Sequence, residues 1–356
     1  MPLSSRTHQV ADAEAAQELF DRNGWGDGLP IVPPTPDRVA ALVAASGHEA
    51  RQVIGQIPEQ GRELTIEKVA VNAVAAGCRP EHMTAVVAAV RSMASDAFNL
   101  HSTTVSGATA PLVIVSGEAV TTLGINTSFS VFGSGHAANA TIGRAVRLVS
   151  QNLCGGTPGL LDKATLGHPG KYSYCIGESL ERSPWAPLHA DRGRPVEASA
   201  VTVFAGEAPI YARNDWAAEP EPILATIADA MGVGHFTGGA FVVVLGPLHA
   251  CLIAEAGWTK DDVRRHLHRH ARRSVADLKR AGRLPGAVEA GDSGTRRAAV
   301  SRSDDILIVV AGGHLYGYSA VIPPWVGGHE SQPVTELIES VPGTACPKEG
   351  PLWTVA

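Results

Sequence analysis

Three short apolar runs constrain this chain more than anything else in it: APLVIVSGEAV (110–120), AFVVVLGPLHA (240–250) and DILIVVAGGHL (305–315). Each is rich in Val and Ile and ends in glycine just before a turn. That is the pattern of a strand buried on both faces, as in parallel or mixed sheets covered by helices. The expected fold is therefore α/β, with mixed or parallel sheets flanked by helices. The common plan of the runs suggests two or three related internal units.

Between the runs, capping and breaking residues predict the helices. A first helix is expected over 11–23. The proline run in GDGLPIVPPTP (26–36) excludes helix until Pro36, with Thr35 as N-cap. Helices are then expected over 64–76, opened by Thr65 and stopped by Gly77, and over 81–95 after Pro80. A helix should begin near His136 or Ala137, and ASAVTVFAGEAP (198–209) reads as one more strand. A charged helix is expected to run on from Thr259 to about 284, and a short one over PVTELIES (333–340). We divide the chain into an N-terminal α/β part (1–130), a segment dense in reactive side chains (131–200) and a C-terminal α/β part (201–356), the alternative being one pseudo-repeated body.

At 356 residues the chain can hold a large core, and 44% hydrophobic with 18% charged residues fits an ordinary globular protein. A net charge of −6 argues against nucleic acid as a partner. No apolar run reaches the roughly 18 residues that a membrane helix needs, and MPLSSRTHQV lacks the apolar core of a signal peptide, so a cytoplasmic location is the default expectation. The five cysteines (Cys78, Cys154, Cys175, Cys251 and Cys346) form no CxxC and are expected to be free thiols.

The chemistry is expected between Phe132 and Arg194. In GSGHAANATIGRAVRL, helical spacing puts Ala138, Ile142, Ala145, Val146 and Val149 on an apolar face, with His136, Asn139, Gly143 and Arg147 opposite. A helix N-terminus with Arg144 and Arg147 suits a carboxylate or phosphate. In GHPGKYSYCIGE, a strand over 171–177 would align Lys171 with Cys175, and the lysine would lower the thiol pKa. Cys78, ahead of a helix start and beside Arg79, is the other candidate nucleophile. Glu178 and His136 are candidate general acid–base groups; Asn139, Tyr172 and His189 are candidate substrate contacts. The N-terminal GWGDGLP, with Trp25 and Asp27, reads as a rigid turn or a ligand loop. Histidines at strand ends or beside glycines (His101, His136, His189, His235, His249, His314, His329) leave open a site for one divalent metal ion, whereas His266 and His270 lie in a basic, solvated stretch. GSGHAAN is not GxGxxG and GRA is no Walker lysine, so dehydrogenase or nucleotide chemistry is disfavoured.

The motifs GDGLPIVPPTPDRV, LTIEKVAVNAVAAGCRPEHM, NATIGRAVRL, GHPGKYSYCIGE, SPWAPLHADRG and LGPLHACLIAEAGWTKDDVRRHL together resemble a poorly characterised bacterial family encountered beside proteins with a UGSC/CGSC selenocysteine-or-cysteine motif. The resemblance spans roughly 20–325. It implies small-molecule metabolism with thiol or selenol association, the redox motif belonging to a partner because this chain has no CGSC. The family pattern carries glutamate where this chain has Leu248, so a Glu–His pair at His249 is not carried over. The leading expectation is a small-molecule enzyme of lyase or hydrolase type. It would act on an anionic substrate held by arginine and attacked by a cysteine thiolate, in a possible homo-oligomer. The alternatives are a histidine-based metalloenzyme and a non-catalytic subunit of a UGSC-type protein.

Overall fold

The computed structural model describes residues 3–105 and 109–339; Cys346 lies outside them. The N-terminal third supplies helices and one hairpin. Helix α1 (Ala13–Asn23) starts where the Asp12 carboxylate accepts from the Ala15 N–H at 2.9 Å, and it ends at Gly24, whose φ of 65° suits glycine. After the extended proline run, α2 (Pro36–Ala45) carries Pro36 in its first turn. The hairpin of β1 (Val53–Ile57) and β2 (Arg62–Thr65) leads into α3 (Ile66–Ala76), capped by Thr65 and stopped at Gly77. Then come α4 (Met83–Met93) and the short α5 (Leu100–Val105).

The apolar run at 110 forms β3 (Ala110–Ser116), followed by the single turn α6 (Ala119–Thr122) and the long α7 (Ala137–Asn152). Next are β4 (Cys175–Gly177), α8 (Leu188–Asp191), β5 (Ala200–Gly206), β6 (Ile210–Arg213) and α9 (Pro220–Met231). The second apolar run is β7 (Phe241–Leu245), which opens α10 (Pro247–Glu255). The charged segment expected as one helix is broken. It forms α11 (Lys260–His270), β8 (Arg272–Ser274) and α12 (Val275–Arg280), because β8 pairs with β9 (Arg296–Ala298) and Ser274 caps a new helix. The third run is β10 (Ile306–Val310), followed by β11 (Tyr318–Ile322) and β12 (Val334–Leu337). That last element corrects the helix expected over 333–340. Its residues pair antiparallel with β5, from Val334 opposite Val203 to Leu337 opposite Ala200, and this edge pairing overrides a weak helical pattern.

The two larger sheets have one plan. The order is β12-β5-β3-β4 in one and β10-β7-β11-β6 in the other. In each, a central strand (β3, β7) has a parallel neighbour (β4, β10) on one side and two successive antiparallel strands on the other. The chain exchanges outer strands between them. β5 of the first sheet runs on to β6 of the second, and β11 of the second runs on to β12 of the first.

Side-chain alternation turns this plan into four layers. Val113, Val115, Val201 and Val203 face α3, α4 and α7, while Phe241, Val243, Ile306 and Ile308 face α9, α10 and α11. The intervening residues, Leu112, Ile114 and Phe204 against Val242, Val244, Leu307 and Ile322, form the core between the sheets. Burial of each such side chain stabilises the fold by about 1.5–3 kcal/mol. Among the described residues, no helix is long and apolar enough to cross a membrane.

Candidate functional site

A cleft of about 350 Å³ opens at the carboxyl ends of the parallel strands β7 and β10. This is where α/β sheets place their ligands, since the strands end there and the connecting loops diverge. Its floor is Gly246 and 311–313, one wall is the start of β11 (Tyr318, Ser319) with Tyr211 of β6, and the other wall is 130–133. Glycine is required at two of these points. A Cβ on Gly246 would collide with the Tyr318 carbonyl oxygen, and one on Gly313 would enter the Phe129 ring. Tyr211 and Tyr318 meet edge to face with ring centroids 6.3 Å apart, and the Arg213 guanidinium sits 5.3 Å from the Tyr318 centroid. Ser130, on the opposite wall, holds a φ of 58°, a conformation uncommon outside glycine and concentrated at functional sites.

Ser319, buried at the edge of this cleft, is hydrogen-bonded to a histidine. Its hydroxyl lies 2.8 Å from His249 Nδ1, and His249 Nε2 lies 3.0 Å from the Asn214 carbonyl oxygen. A carbonyl only accepts, so Nε2 carries the proton and Nδ1 is left to accept from Ser319. Hydroxyl, imidazole and carbonyl thus stand in sequence, the arrangement of a nucleophile with its base and orienting group. Burial holds the His249 pKa below the ordinary histidine value, although the Asn214 carbonyl and Asp215 oppose this. The ring is therefore neutral at neutral pH. Asp215 accepts from the Gly317 N–H at 2.8 Å and from Arg213 at 2.5 Å, fixing the strap that passes over the histidine. Helix α10 begins at Gly246, with Pro247 at its first position, so its unsatisfied first-turn N–H groups and partial positive charge belong to the same end of the sheet.

A second serine–histidine pair serves as an internal comparison. Ser116, ending β3, is 2.9 Å from His189 Nδ1, and His189 Nε2 is 3.2 Å from the Val196 carbonyl. Both residues are fully buried, and the pair ties β3 to α8. His189, expected as a substrate contact, is thus enclosed in the protein.

The segment 132–194 is interior architecture to a greater degree than its residue types suggest. Asn139 is buried: its Oδ1 accepts from the Asn126 N–H, and its Nδ2 donates to the Asn126 and Cys175 carbonyls. Arg144 forks onto Asp27 at 2.7 and 2.8 Å, whereas Arg147 turns to Asp162 at 3.0 Å and the Gly156 carbonyl at 3.2 Å. The two arginines do not converge on one anion, and each already holds a carboxylate of the chain. Lys171 also binds Asp162, at 2.7 Å, and closes a 3₁₀ turn (Pro169–Lys171) in which His168 Nδ1 accepts from the Gly170 N–H. The expected strand over 171–177 is only β4, so Lys171 and Cys175 do not share a strand face.

The thiolate expectation is corrected by burial. Cys78 donates to the Thr141 carbonyl at 3.2 Å, and desolvation pushes its pKa up to about 12 despite Arg144 nearby. Cys175 is enclosed more completely and is raised further for the same reason. Helix-dipole stabilisation of Cys78 does not offset the loss of water. Glu178 has no exposed surface. Both its oxygens accept from the Leu188 N–H, at 2.8 and 3.0 Å, and Lys260 Nζ is 3.9 Å away. Desolvation pushes its pKa up to about 7. Lys260 and Arg264 of α11 turn inward to Asp191, at 2.9 and 2.6 Å, so this part of the basic helix is not a solvated face. His136, at the N-cap of α7, and Tyr172 remain exposed.

Among the described residues, no group of three or more His, Cys, Asp or Glu is arranged to hold a metal ion, the alternative that the strand-end histidines left open. Sequence reasoning missed Ser319, Tyr211, Tyr318 and Asn214. The available signal was the glycine that ends two apolar runs, in LGPLHA and VAGGH, since strand ends collect ligand groups. No family model matches the chain, and no curated protein matches it.

Proposed function

We propose that this chain is a small-molecule hydrolase that uses Ser319 as nucleophile and His249 as base, in the cleft at the carboxyl ends of β7 and β10. The observation that carries this reading is the serine–histidine–carbonyl relay at the edge of this cleft, which Ser319 lines with His249 behind it; the two residues are 3% and 1% exposed, against none for Ser116 and His189. In the first step Ser319 Oγ attacks an ester or amide carbonyl carbon and its proton passes to His249 Nδ1. The negative charge that develops on the substrate oxygen is stabilised by the N-terminal end of α10. His249 then returns the proton to the leaving group as its bond to the acyl carbon breaks. A water molecule, deprotonated by the same nitrogen, releases the acyl group from Ser319.

The surroundings favour a small substrate with a planar or apolar part. Tyr211 and Tyr318 offer aromatic faces, and Arg213 places a cation above the Tyr318 ring. The test is hydrolysis of p-nitrophenyl acetate by the purified chain. Ser319→Ala should lower kcat by about 10³-fold or more, while Ser116→Ala leaves it within a few-fold. Equal rates in the wild type and Ser319→Ala would refute the assignment.

A further inference from the structure

Beneath α7 lies a niche that the proposed reaction does not use. Asp162 Oδ2 is shared by Arg147 Nη2 at 3.0 Å and Lys171 Nζ at 2.7 Å, while its other oxygen accepts from the Ala164 N–H at 3.2 Å. The side chains of Arg147, Asp162 and Lys171 are only 8%, 4% and 15% exposed. Two cations therefore meet one carboxylate almost out of contact with water. Among the described residues, no other carboxylate bonds either cation. Asp27, the next acid to influence Arg147, is taken by Arg144, and His168 beside Lys171 is held towards its neutral form by burial. A buried unit of uncompensated charge is costly, and proteins remove it by pairing or by losing a proton.

The donors point to pairing. Arg147 Nε and Nη1, two of the three Lys171 ammonium protons and the buried Ser150 hydroxyl have no acceptor among the described residues. Arg147, Lys171, Ser150 and Asp162 line one cavity with room for a single water-sized occupant. A carboxylate or phosphate does not fit there, so a monatomic anion is the smallest partner that could pair with these donors. We propose that this niche is a binding site for one monovalent anion of halide size, chloride under ordinary conditions, held by Arg147, Lys171 and Ser150. The anion completes a neutral cluster of two cations and two anions, locking α7 to the 162–171 segment. This site is independent of Ser319.

The experiment compares thermal unfolding in sodium chloride and in sodium methanesulfonate, whose anion is too large to enter, at one ionic strength. Wild type should show a saturable rise in Tm of a few degrees with chloride, and bromide-soaked crystals should give an anomalous peak between Arg147 and Lys171. Lys171→Met leaves a balanced Arg147–Asp162 pair. It should lose the chloride increment and be at least as stable as wild type in methanesulfonate. Identical wild-type curves in the two salts would overturn the site. So would a chloride increment that survives in Lys171→Met, or a bromide peak absent from the niche. An NMR signal showing Lys171 neutral at pH 7 would also overturn it, since the charge would then be balanced by proton loss.

Discussion

At the scale of single residues, desolvation separates the thiols from one another. Cys78, Cys154 and Cys175 are buried free thiols whose pKa values desolvation raises, whereas Cys251 is exposed. Since the thiolate is the reactive form, native alkylation with iodoacetamide should modify Cys251 well before any of these three. Rapid labelling of Cys78 or Cys175 in the folded protein, read by peptide mass spectrometry, would restore the thiolate mechanism. His249 sets the pH dependence. Its folded pKa is lowered, so its contribution to stability is complete above the ordinary value of 6.5 and is lost as pH falls through the lower folded value. The base function follows the same titration. Ester hydrolysis should stay level from pH 8 to about 6.5 and decline only at more acid pH. A decline already centred above 6.5 would point to a different base.

At the scale of elements, α7 shows why the chemistry of 132–194 was over-read. Its apolar face was legible from spacing, and Ile142, Ala145, Val146 and Val149 are indeed buried. The opposite side was read as a ligand face, yet Asn139 and Gly143 are covered by 173–175 and Arg147 is held by Asp162 and Gly156. Helical periodicity detects one buried face and is silent about a second contact made by polar groups. Gly143 makes the point testable. Alanine is favoured over glycine within a helix by about 1 kcal/mol, but a Cβ at Gly143 would meet the Ser173 hydroxyl and lie 2.6 Å from the Tyr174 nitrogen. Packing should win, so Gly143→Ala should destabilise by roughly 1–3 kcal/mol in urea unfolding. A stabilised variant would mean that the 173–175 strap is not seated on α7.

At the scale of the whole molecule, the fold class and the three glycine-ended strands could be read from apolar patterning, because strands covered on both sides advertise themselves. The exchange of β6 and β12 between the sheets could not, since pairing partners are set by tertiary register. The candidate site was hidden for a related reason: Ser319 and His249 are 70 positions apart, and only the antiparallel pairing of β11 with β7, Ser319 opposite Leu245, brings them together. Glu178 connects the halves, joining the end of β4 to α8 and to Lys260 of α11. Its folded pKa is raised from 4.5 to about 7, so the stability it contributes is complete below about 4.5 and is lost as pH rises through about 7. Glu178→Gln keeps an acceptor for Leu188 and removes the titration. Its urea midpoint should therefore change less between pH 5 and 8 than that of the wild type, and an unchanged pH profile would show that Glu178 is not the titrating joint.

The central claim is that one serine of this chain, at the cleft, is activated for attack. The most direct measurement is the reaction of the folded protein with a small fluorophosphonate, followed by peptide mass spectrometry. The account predicts a single adduct on Ser319, abolished in Ser319→Ala and absent from Ser116. An unmodified protein, or an adduct that persists elsewhere in Ser319→Ala, would contradict it.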